Sequence, residues 1–328
     1  MIRFSRRSVH FATLALVIAG FCASGSTFAQ STYPNKPVKI VLPYPAGGGS
    51  DAVARMIADK LQQAWGQPVV VDNKPGASGI IGTQQVVRTA ADGYTLLYHN
   101  TVLIQQPSMM EKLPYDPLKD LQPVTVTLKT NNLFVVPASS PAKTLKEFVE
   151  LAKAKPGSIN FASASTSQLV STEMMAGMAG IQLSNVPYKS GPAAMTDLIG
   201  GVVQMFSADF AVMLPQVKAG KVRGLAVTSS KRSPAVPELP TVNEALGLKD
   251  YELIAYFAVF APAGTPPDIV AKLNKAVNEA ANSKEIQDRF AGIGFAVEPG
   301  TPADLAKRSV AETAKWAKAI KDAKIEPQ

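Results

Sequence analysis

The chain has 328 residues, of which 46% are hydrophobic and 18% are charged. This composition excludes a disordered chain and supplies enough apolar material for two α/β domains of roughly 100–150 residues each. The 33 Lys and Arg residues outnumber 25 acids but form no basic block, which favours small anions over nucleic acid as partners.

Residues 1–29 have the pattern of a secretory signal peptide. Three arginines among the first seven residues precede the apolar run Phe11–Phe21, and Thr27-Phe28-Ala29 offers a small-residue cleavage site. An uncleaved membrane anchor is the alternative, although the run is short for a transmembrane span. Arg6-Arg7 loosely resembles a twin-arginine signal, so the export route stays open. Phe21 directly before Cys22 disfavours a lipid anchor.

Cleavage after Ala29 changes the composition of the mature chain. Lys plus Arg falls from 33 to 30 and the net charge from +8 to +5, while the only cysteine and His10 are lost. Disulfides, a thiol nucleophile and a thiolate metal site are thereby excluded, and His99 alone does not make a two-histidine metal site. We therefore predict no metal and no cofactor.

Strands and helices alternate from Gln30 to about residue 100, which is typical of a mostly parallel sheet with helices on both faces. Helical spacing of apolar residues predicts helices over Asp51–Trp65 and Ile80–Thr89. The predicted strands of this first series are Val38–Leu42, Val69–Val71 and Tyr94–Tyr98.

A second series begins near Leu133. Thr144 and Glu147 form a capping box before a helix, and Pro156-Gly157 ends that helix. The strands that follow are predicted over Ile159–Ala162, Leu183–Pro187, Val202–Phe206 and Val222–Thr228. The helices between them are predicted over Gln168–Gly177, Ala193–Ile199 and Val212–Lys218.

The C-terminal part consists of a return connection, Ser230–Leu246, a strand, Leu253–Ala261, and three helices. Two of these helices are predicted to start with Thr as N-cap and Pro at the first helical position, at Thr265-Pro266 and Thr301-Pro302. The first series has too few strands for a sheet of its own, so we join the C-terminal part to it. The prediction is a hinge-linked α/β fold with two lobes, residues 30–126 plus 251–328 and residues 127–250, and a ligand cleft between them.

The turn Pro43–Asp51 is the first candidate anion site. It follows a strand and opens a helix, and its three glycines expose backbone N–H groups at a helix N-terminus, where carboxylates and phosphates bind. It lacks the spacing of nucleotide-binding loops. An ordinary tight turn with Ser50 or Asp51 as N-cap is the alternative. The candidate ligand contacts here are Tyr44, Ala46, Gly47, Gly48, Gly49, Ser50 and Asp51.

Two further loops have the same character. The turn Asn73–Gly82 contains Ser78 between glycines, and the hydroxyl-rich segment Ser163–Ser167 precedes a helix of the second series. Hydroxyls there can bind an oxyanion or only cap the helix. The candidate contacts in the second segment are Ser163, Ser165, Thr166 and Ser167.

Catalytic motifs are lacking, since no serine lies in a Gly-x-Ser-x-Gly sequence. His99 ends a strand at the edge where α/β proteins bind ligands, and Asp209 is similarly placed in the second series. Either residue can contact a ligand or only brace a loop. The other candidate contacts are Asn100, Thr101, Tyr188 and Tyr256.

The chain resembles the Bug-type solute-binding receptors of tripartite tricarboxylate transporters along its whole mature length. The motifs that carry the resemblance are Pro43–Arg55, Val69–Gly82, Ala91–Leu97, Leu113–Val124, Tyr188–Gly201, Leu214–Ser233, Pro240–Glu244 and Ala261–Pro266. Two segments depart from the family pattern: Ala255–Ala258, where a Trp and a Gly are usual, and Tyr98–Thr101, which is usually small and glycine-rich.

The resemblance implies a two-lobed, type II-like periplasmic-binding fold that closes on a carboxylate. It implies that the turns at Ala46–Asp51 and Ser78 hold one carboxylate and that Ser165–Ser167 receives the other end of the ligand. It also implies an acidic residue beside the cleft at Asp209.

We therefore expect a monomeric, non-enzymatic periplasmic receptor that passes a dicarboxylate or an aromatic carboxylate to membrane permease subunits. His99, Tyr44 and Tyr256 are the expected aromatic or hydrogen-bonding walls. The alternatives are a ligand sensor for a signalling partner and a secreted hydrolase, for which His99 would be the only histidine base.

Overall fold

The computed structural model describes residues 33–322, apart from 48 and 293, together with residue 327. The predicted signal peptide lies outside the described residues. The fold described below is that of the compact unit Lys36–Gln328.

The first series forms the predicted parallel strands. β1 (Val38–Leu42) lies between β2 (Val69–Asn73) and β3 (Thr95–Asn100) and pairs in parallel with both. The helices between and after them are α1 (Gly49–Trp65), α2 (Ile80–Val87) and α3 (Val102–Met109). Because parallel strands end at one edge of a sheet, the loops after β1, β2 and β3 lie at the same edge.

A 17-residue strand, β4 (Leu121–Pro137), connects two regions of sheet. Leu121–Asn131 pairs with β9 (Ile254–Pro262), and Asn132–Pro137 pairs with β7 (Met205–Asp209) and β8 (Val222–Val227). The change of partner therefore falls between Asn131 and Asn132. We call the two parts the first sheet region, which contains β1, and the second sheet region, which contains β7.

The second sheet region continues from β7 through β5 (Asn160–Ser163) to β6 (Ser184–Pro187), with parallel pairing. Its helices are α4 (Leu145–Ala154), α5 (Thr166–Ala179), α6 (Gly191–Ile199), α7 (Phe210–Lys218) and α8 (Val242–Leu246). The strands β5, β6 and β7 also end at one edge, where α5 and α7 begin.

The C-terminal part packs on the first sheet region. It consists of α9 (Pro267–Ala281), α10 (Lys284–Ala291), β10 (Phe295–Val297) and α11 (Pro302–Asp322). Leu305, Trp316 and Ile320 of α11 belong to the same hydrophobic core as Val41 and Leu97 of β1 and β3. Removal of these apolar side chains from water supplies most of the free energy that holds the C-terminal part in place.

The mixed α/β fold is confirmed, but the prediction of mostly parallel sheets holds only for the outer strands. β9 pairs antiparallel with β3 and β4, and β4 also pairs antiparallel with β7, β8 and β10. The reason is that β4 runs from the first into the second sheet region without a helical crossover, and β9 lies antiparallel beside its first part.

Two of the three predicted helix caps differ in the structure from the expectation. Thr265 does not cap α9: its hydroxyl donates to the Pro262 carbonyl, and the helix begins at Pro267. Glu147 Oε2 accepts from Lys143 N and not from Thr144 N, so Thr144 caps α4 without a reciprocal box. Thr301 and Asp304 do bond reciprocally, as expected for the start of α11.

Candidate functional site

The turn after β1 is held together by the Asp51 carboxylate. Oδ2 accepts from Gly47 N and Arg55 Nε at 3.0 Å each, and Oδ1 accepts from Asn73 Nδ2 at 3.0 Å. The Arg55 hydrogen bond lowers the pKa of Asp51 to about 2, helped by Gly47 and Asn73 and opposed by burial. Asp51 is therefore a brace of the turn, which corrects its prediction as a ligand contact.

The other residues of this turn differ in accessibility. Ala46, Gly47 and Gly49 are exposed and Ser50 is half-buried, while Gly48 lies outside the described residues. Gly47 N is committed to Asp51, so a ligand would have to use the other donors of the turn. The accessible part of the turn matches the predicted anion cradle in position.

Tyr44 is fixed by the end of β3. Its hydroxyl donates to Asn100 Oδ1 at 2.7 Å and lies 3.2 Å from His99 Nδ1, and the two rings meet edge-on with centroids 5.4 Å apart. Asn100 Oδ1 also accepts from Val102 N, at the start of α3. These bonds tie the first turn to β3.

His99 is fully buried, and its role as a wall of the cleft stays a prediction. Its Nδ1 lies 2.9 Å from the Asn100 carbonyl, an acceptor only, so Nδ1 carries the proton and Nε2 is a bare acceptor. Nε2 packs against Gly79, where an added Cβ would lie 2.8 Å away. His99 thus contacts both turns of the first sheet region and positions them.

We expect His99 to make folding stability depend on pH. Burial lowers the pKa of His99 from 6.5 to about 4, so between these values the unfolded chain binds a proton that the folded chain does not. Stability is fully present above about pH 6.5 and falls as pH decreases towards 4. Urea unfolding over this range should show the pH slope reduced in His99→Gln, and parallel curves for both proteins would contradict this.

The second turn carries Ser78 in a left-handed conformation, with φ 52° and ψ 33°. Its carbonyl accepts from Gln106 Nε2 at 3.0 Å, and Tyr115 donates its hydroxyl to Gln106 Oε1 at 2.5 Å. The Ser78 side chain remains exposed at the start of α2. The turn is therefore anchored to α3 through Gln106, and the sequence did not predict this helix.

The segment before α5 is organised by its hydroxyls. Ser165 accepts from Gln168 N at 3.4 Å as the N-cap, and the buried Ser163 donates to Asn185 Oδ1 at 2.7 Å. Ser163 is thereby committed to β6, which makes it a brace of the loop. Ser165 is exposed, and Thr166 is half-buried.

Ser167 makes the contact that brings the two candidate sites together. Its hydroxyl donates to Gln105 Oε1 of α3 at 3.3 Å, across from the second to the first sheet region. The loops that follow β1, β2 and β3 thus meet the start of α5 around one helix, α3.

The remaining predicted contacts fall into two groups. Tyr188, beside the same edge, donates its hydroxyl to Asp197 at 2.7 Å, and burial together with Asp197 raises the pKa of Tyr188 to about 12. Asp209 accepts from Val212 N at 3.2 Å as the N-cap of α7. Tyr188 directly follows β6 and Asp209 ends β7, and the polar groups of both are engaged in local bonds.

Tyr256 and Thr101 are both buried in the first sheet region, and their role as ligand contacts stays a prediction. Tyr256 is 1% exposed in the core with Trp316, and the Arg308 guanidinium lies 5.5 Å from its ring centroid. Thr101 Oγ1 accepts from Tyr256 N at 3.3 Å. Neighbouring residues of a strand point to opposite faces of the sheet, and the position of Tyr256 in β9 directs its side chain to the face that α11 covers.

A cavity of about 780 Å³ lies away from these loops, and its lining includes Lys129, Glu252, Glu298 and Arg308. None of the predicted ligand contacts lines it. Among the described residues no group of three or more His, Cys, Asp or Glu side chains could hold a metal ion, and no helix is long and apolar enough to cross a bilayer.

Two regions of α/β sheet, joined through long strands and presenting oxyanion-compatible loops to each other, define a two-lobed solute-binding protein. Residues 53–325 match the family model of the tripartite tricarboxylate transporter family receptor. The chain belongs to this family, whose members are periplasmic solute-binding receptors.

Relatives and solved structures agree with this assignment. The chain is 36% identical to Protein BugT of Bordetella pertussis over 316 residues, 94% of this chain and 97% of that protein. R. palustris Rpa4515 with adipate is 33% identical, with a TM-score of 0.75 over 90% of this chain and 100% of that one. MatC of Rhodopseudomonas palustris with bound malate is 30% identical, with a TM-score of 0.70 over 88% and 100%.

Proposed function

We propose that this receptor binds a small dicarboxylate between its lobes. The observation that carries the proposal is the Ser167–Gln105 hydrogen bond, which joins the start of α5 to the helix beneath the turns of the first sheet region. A ligand with a carboxylate at each end can reach N–H and hydroxyl donors on both sides. Contact with both lobes is what allows a ligand to shift the balance from open to closed.

Two features favour a dicarboxylate over an aromatic carboxylate. The Tyr256 ring packs in the core with Trp316 and the His99 ring packs against Gly79, so neither of the expected flat walls is free to lie along an aromatic ligand. The related receptors named above were solved with adipate and malate, both aliphatic dicarboxylates. We extend this ligand class to the present chain.

We further propose that the chain is exported through its N-terminal signal peptide and works as a monomer with membrane permease subunits of a tripartite transporter. Its lobes are residues 30–126 with 251–328 and residues 127–250. The partner change of β4 at Asn131–Asn132 and the Leu253 N to Thr228 O bond of 2.9 Å support a crossing near these boundaries. A sensor that presents the same closed surface to a signalling partner is the second candidate.

A hydrolase receives no support from the site. The histidine that would be its general base is fully buried, and burial lowers the pKa of His99 to about 4. A base must reach the proton that it removes, and one that is protonated only near pH 4 is weak at neutral pH.

A thermal-shift screen tests the proposal. The mature chain is heated with adipate, malate and other dicarboxylates, with their monocarboxylate counterparts as controls. A ligand that binds only the folded state raises the melting temperature, by an amount that grows with its concentration relative to Kd. A flat response to every dicarboxylate would reject the proposal.

We expect Ser165→Ala with Thr166→Ala to weaken dicarboxylate binding by about 1–3 kcal/mol, since a charged oxygen loses its partners. Calorimetry measures the change. Thr144→Ala is the matched control, because Thr144 caps α4 with the same kind of bond. It follows the carboxyl end of β4, which is antiparallel to β7 and therefore ends at the edge of the sheet away from the proposed site. Equal affinity of the double variant and wild type would remove Ser165 and Thr166 from the site.

A further inference from the structure

Helix α3 contains two neighbouring glutamines that are both buried. Gln105 and Gln106 are each 1% exposed, in a helix of eight residues. Burying an amide is costly unless its donors and acceptor find partners. The bonds of the two side chains therefore indicate what each one is for.

The polar atoms of the Gln106 side chain are accounted for within the first sheet region. Nε2 donates to the Ser78 carbonyl and Oε1 accepts from the Tyr115 hydroxyl. Gln106 thereby fixes the left-handed Ser78 turn.

Only the oxygen of the Gln105 amide has a hydrogen-bond partner among the described residues. Oε1 accepts from Ser167 Oγ at 3.3 Å, and this bond orients the amide with its acceptor towards α5. Among the described residues no hydrogen bond involves Nε2, yet Nε2 is not one of the fully buried atoms that lack a partner. Its two N–H donors are therefore unused by the protein and open to solvent or a ligand between the Ser78 turn and the start of α5.

We propose that Gln105 determines specificity by donating Nε2–H to an oxygen of the ligand's second carboxylate. The inference rests on the proposed function and names a residue of that same site. An amide donor accepts no hydrogen bond, so it favours carboxylate or carbonyl oxygens and disfavours an ammonium or a methyl group at this point. Ser167 is the positioning residue, since its hydroxyl holds Oε1 and thereby aims Nε2.

The test compares two ligands of equal chain length, adipate and hexanoate. In Gln105→Leu, which has no polar atoms, adipate affinity should fall at least about tenfold, the effect of losing one hydrogen bond to a charged group. Hexanoate lacks the second carboxylate, so its affinity should stay within about threefold. The measured quantity is the adipate-to-hexanoate ratio of affinities, which general loosening of the site would not change.

A second variant keeps the fold and inverts the interaction. Gln105→Glu preserves length and the acceptor for Ser167, and replaces the Nε2 donor by an anionic oxygen. Adipate binding at about pH 8 should fall more than in Gln105→Leu, because like charges repel. Lowering the pH should narrow the gap to wild type as the introduced carboxylate gains a proton. Gln63→Glu, at an exposed position of α1, controls for the change in net charge.

The outcomes separate the two claims. If wild type binds no dicarboxylate of the thermal-shift screen, the proposed function fails, and the role of Gln105 falls with it. If wild type binds adipate and Gln105→Leu weakens adipate and hexanoate equally, or neither of them, the function stands and the role of Gln105 is overturned. Selective loss of adipate in Gln105→Leu, with Gln63→Glu unchanged, supports both.

Discussion

Replacing Gly79 by alanine is expected to abolish measurable dicarboxylate binding and to lower the free energy of unfolding by about 2–4 kcal/mol. Gly79 has φ 93°, a region that costs an L-residue roughly 1–2 kcal/mol. Its Cβ would lie 2.8 Å from His99 Nε2 and 3.5 Å from Pro43 Cβ, and overpacking adds about 1–3 kcal/mol.

The loss of binding affinity should be larger than the loss of folding stability, because Gly79 packs against residues that position both turns. The clash falls on His99, which contacts Tyr44 of the first turn, and Gly79 itself follows Ser78 of the second turn. A displacement of His99 therefore moves both proposed halves of one carboxylate cradle together. Misplaced donors lose most of their value, since hydrogen bonds weaken steeply with angle.

Calorimetry with adipate and urea unfolding measure the two effects in the Gly79→Ala variant. The control is Gly264→Ala, at φ 85°, where the nearest atom to an added Cβ is Ala91 Cβ at 4.0 Å. This control carries the backbone strain without the clash and should retain binding. Adding His99→Ala to Gly79→Ala should restore part of the lost stability, and no recovery would contradict the clash as the cause.

The sequence predicts the outer strands and their loops because the signals there are local. Apolar spacing over Val53, Ile57 and Leu61 defines the buried face of α1, and the glycines after Leu42 mark the turn. The same locality explains why the loops Pro43–Asp51 and Ser163–Ser167 are predicted at the sheet edges where the structure has them.

What the sequence does not reveal depends on tertiary contacts. Leu121–Pro137 contains Pro123 and Asn131-Asn132, residues that disfavour strands, and pairing on both sides overrides them. In α3, Gln105 and Gln106 resemble a solvated helix face, and Pro107 lies inside the helix. Only the packing of α3 under two turns makes these glutamines buried and gives them partners in both sheet regions.

Tyr256 illustrates a different limit. Along Ile254–Pro262 most residues are buried on both faces, so alternation of apolar and polar residues does not indicate which side faces a cleft. The resemblance marks Ala255–Ala258 as a departure from the family pattern, and an aromatic residue at such a position suggests a ligand wall. The interior behind β9, filled by α11, takes the ring instead.

Replacing Gly294 by alanine is expected to lower the free energy of unfolding by about 2–5 kcal/mol and to weaken ligand binding. Gly294, at φ 82° between α10 and β10, packs on Phe210, the first residue of α7. An added Cβ would overlap the Cβ, Cγ and Cδ2 atoms of Phe210. Backbone strain and overpacking together give the expected cost.

Neither partner of this contact can move away easily. Gly294 N donates to Ala291 O at 3.0 Å, and Thr130 Oγ1 donates to Gly294 O at 3.3 Å, which anchors the turn to β4. Phe210 is fully buried in the core of the second sheet region. The contact therefore fixes the C-terminal part of the chain against the second sheet region.

The effect on binding follows from the neighbour of Phe210. Asp209 caps α7 beside the proposed cleft, so a shift of the Phe210 ring displaces the start of α7 and its loop. In Gly294→Ala both the free energy of unfolding and the affinity for adipate should fall. Gly264→Ala has a positive φ without the clash and should lower the free energy of unfolding only slightly. If Gly294→Ala loses no more stability than Gly264→Ala, the overlap with Phe210 does not limit how the two regions pack.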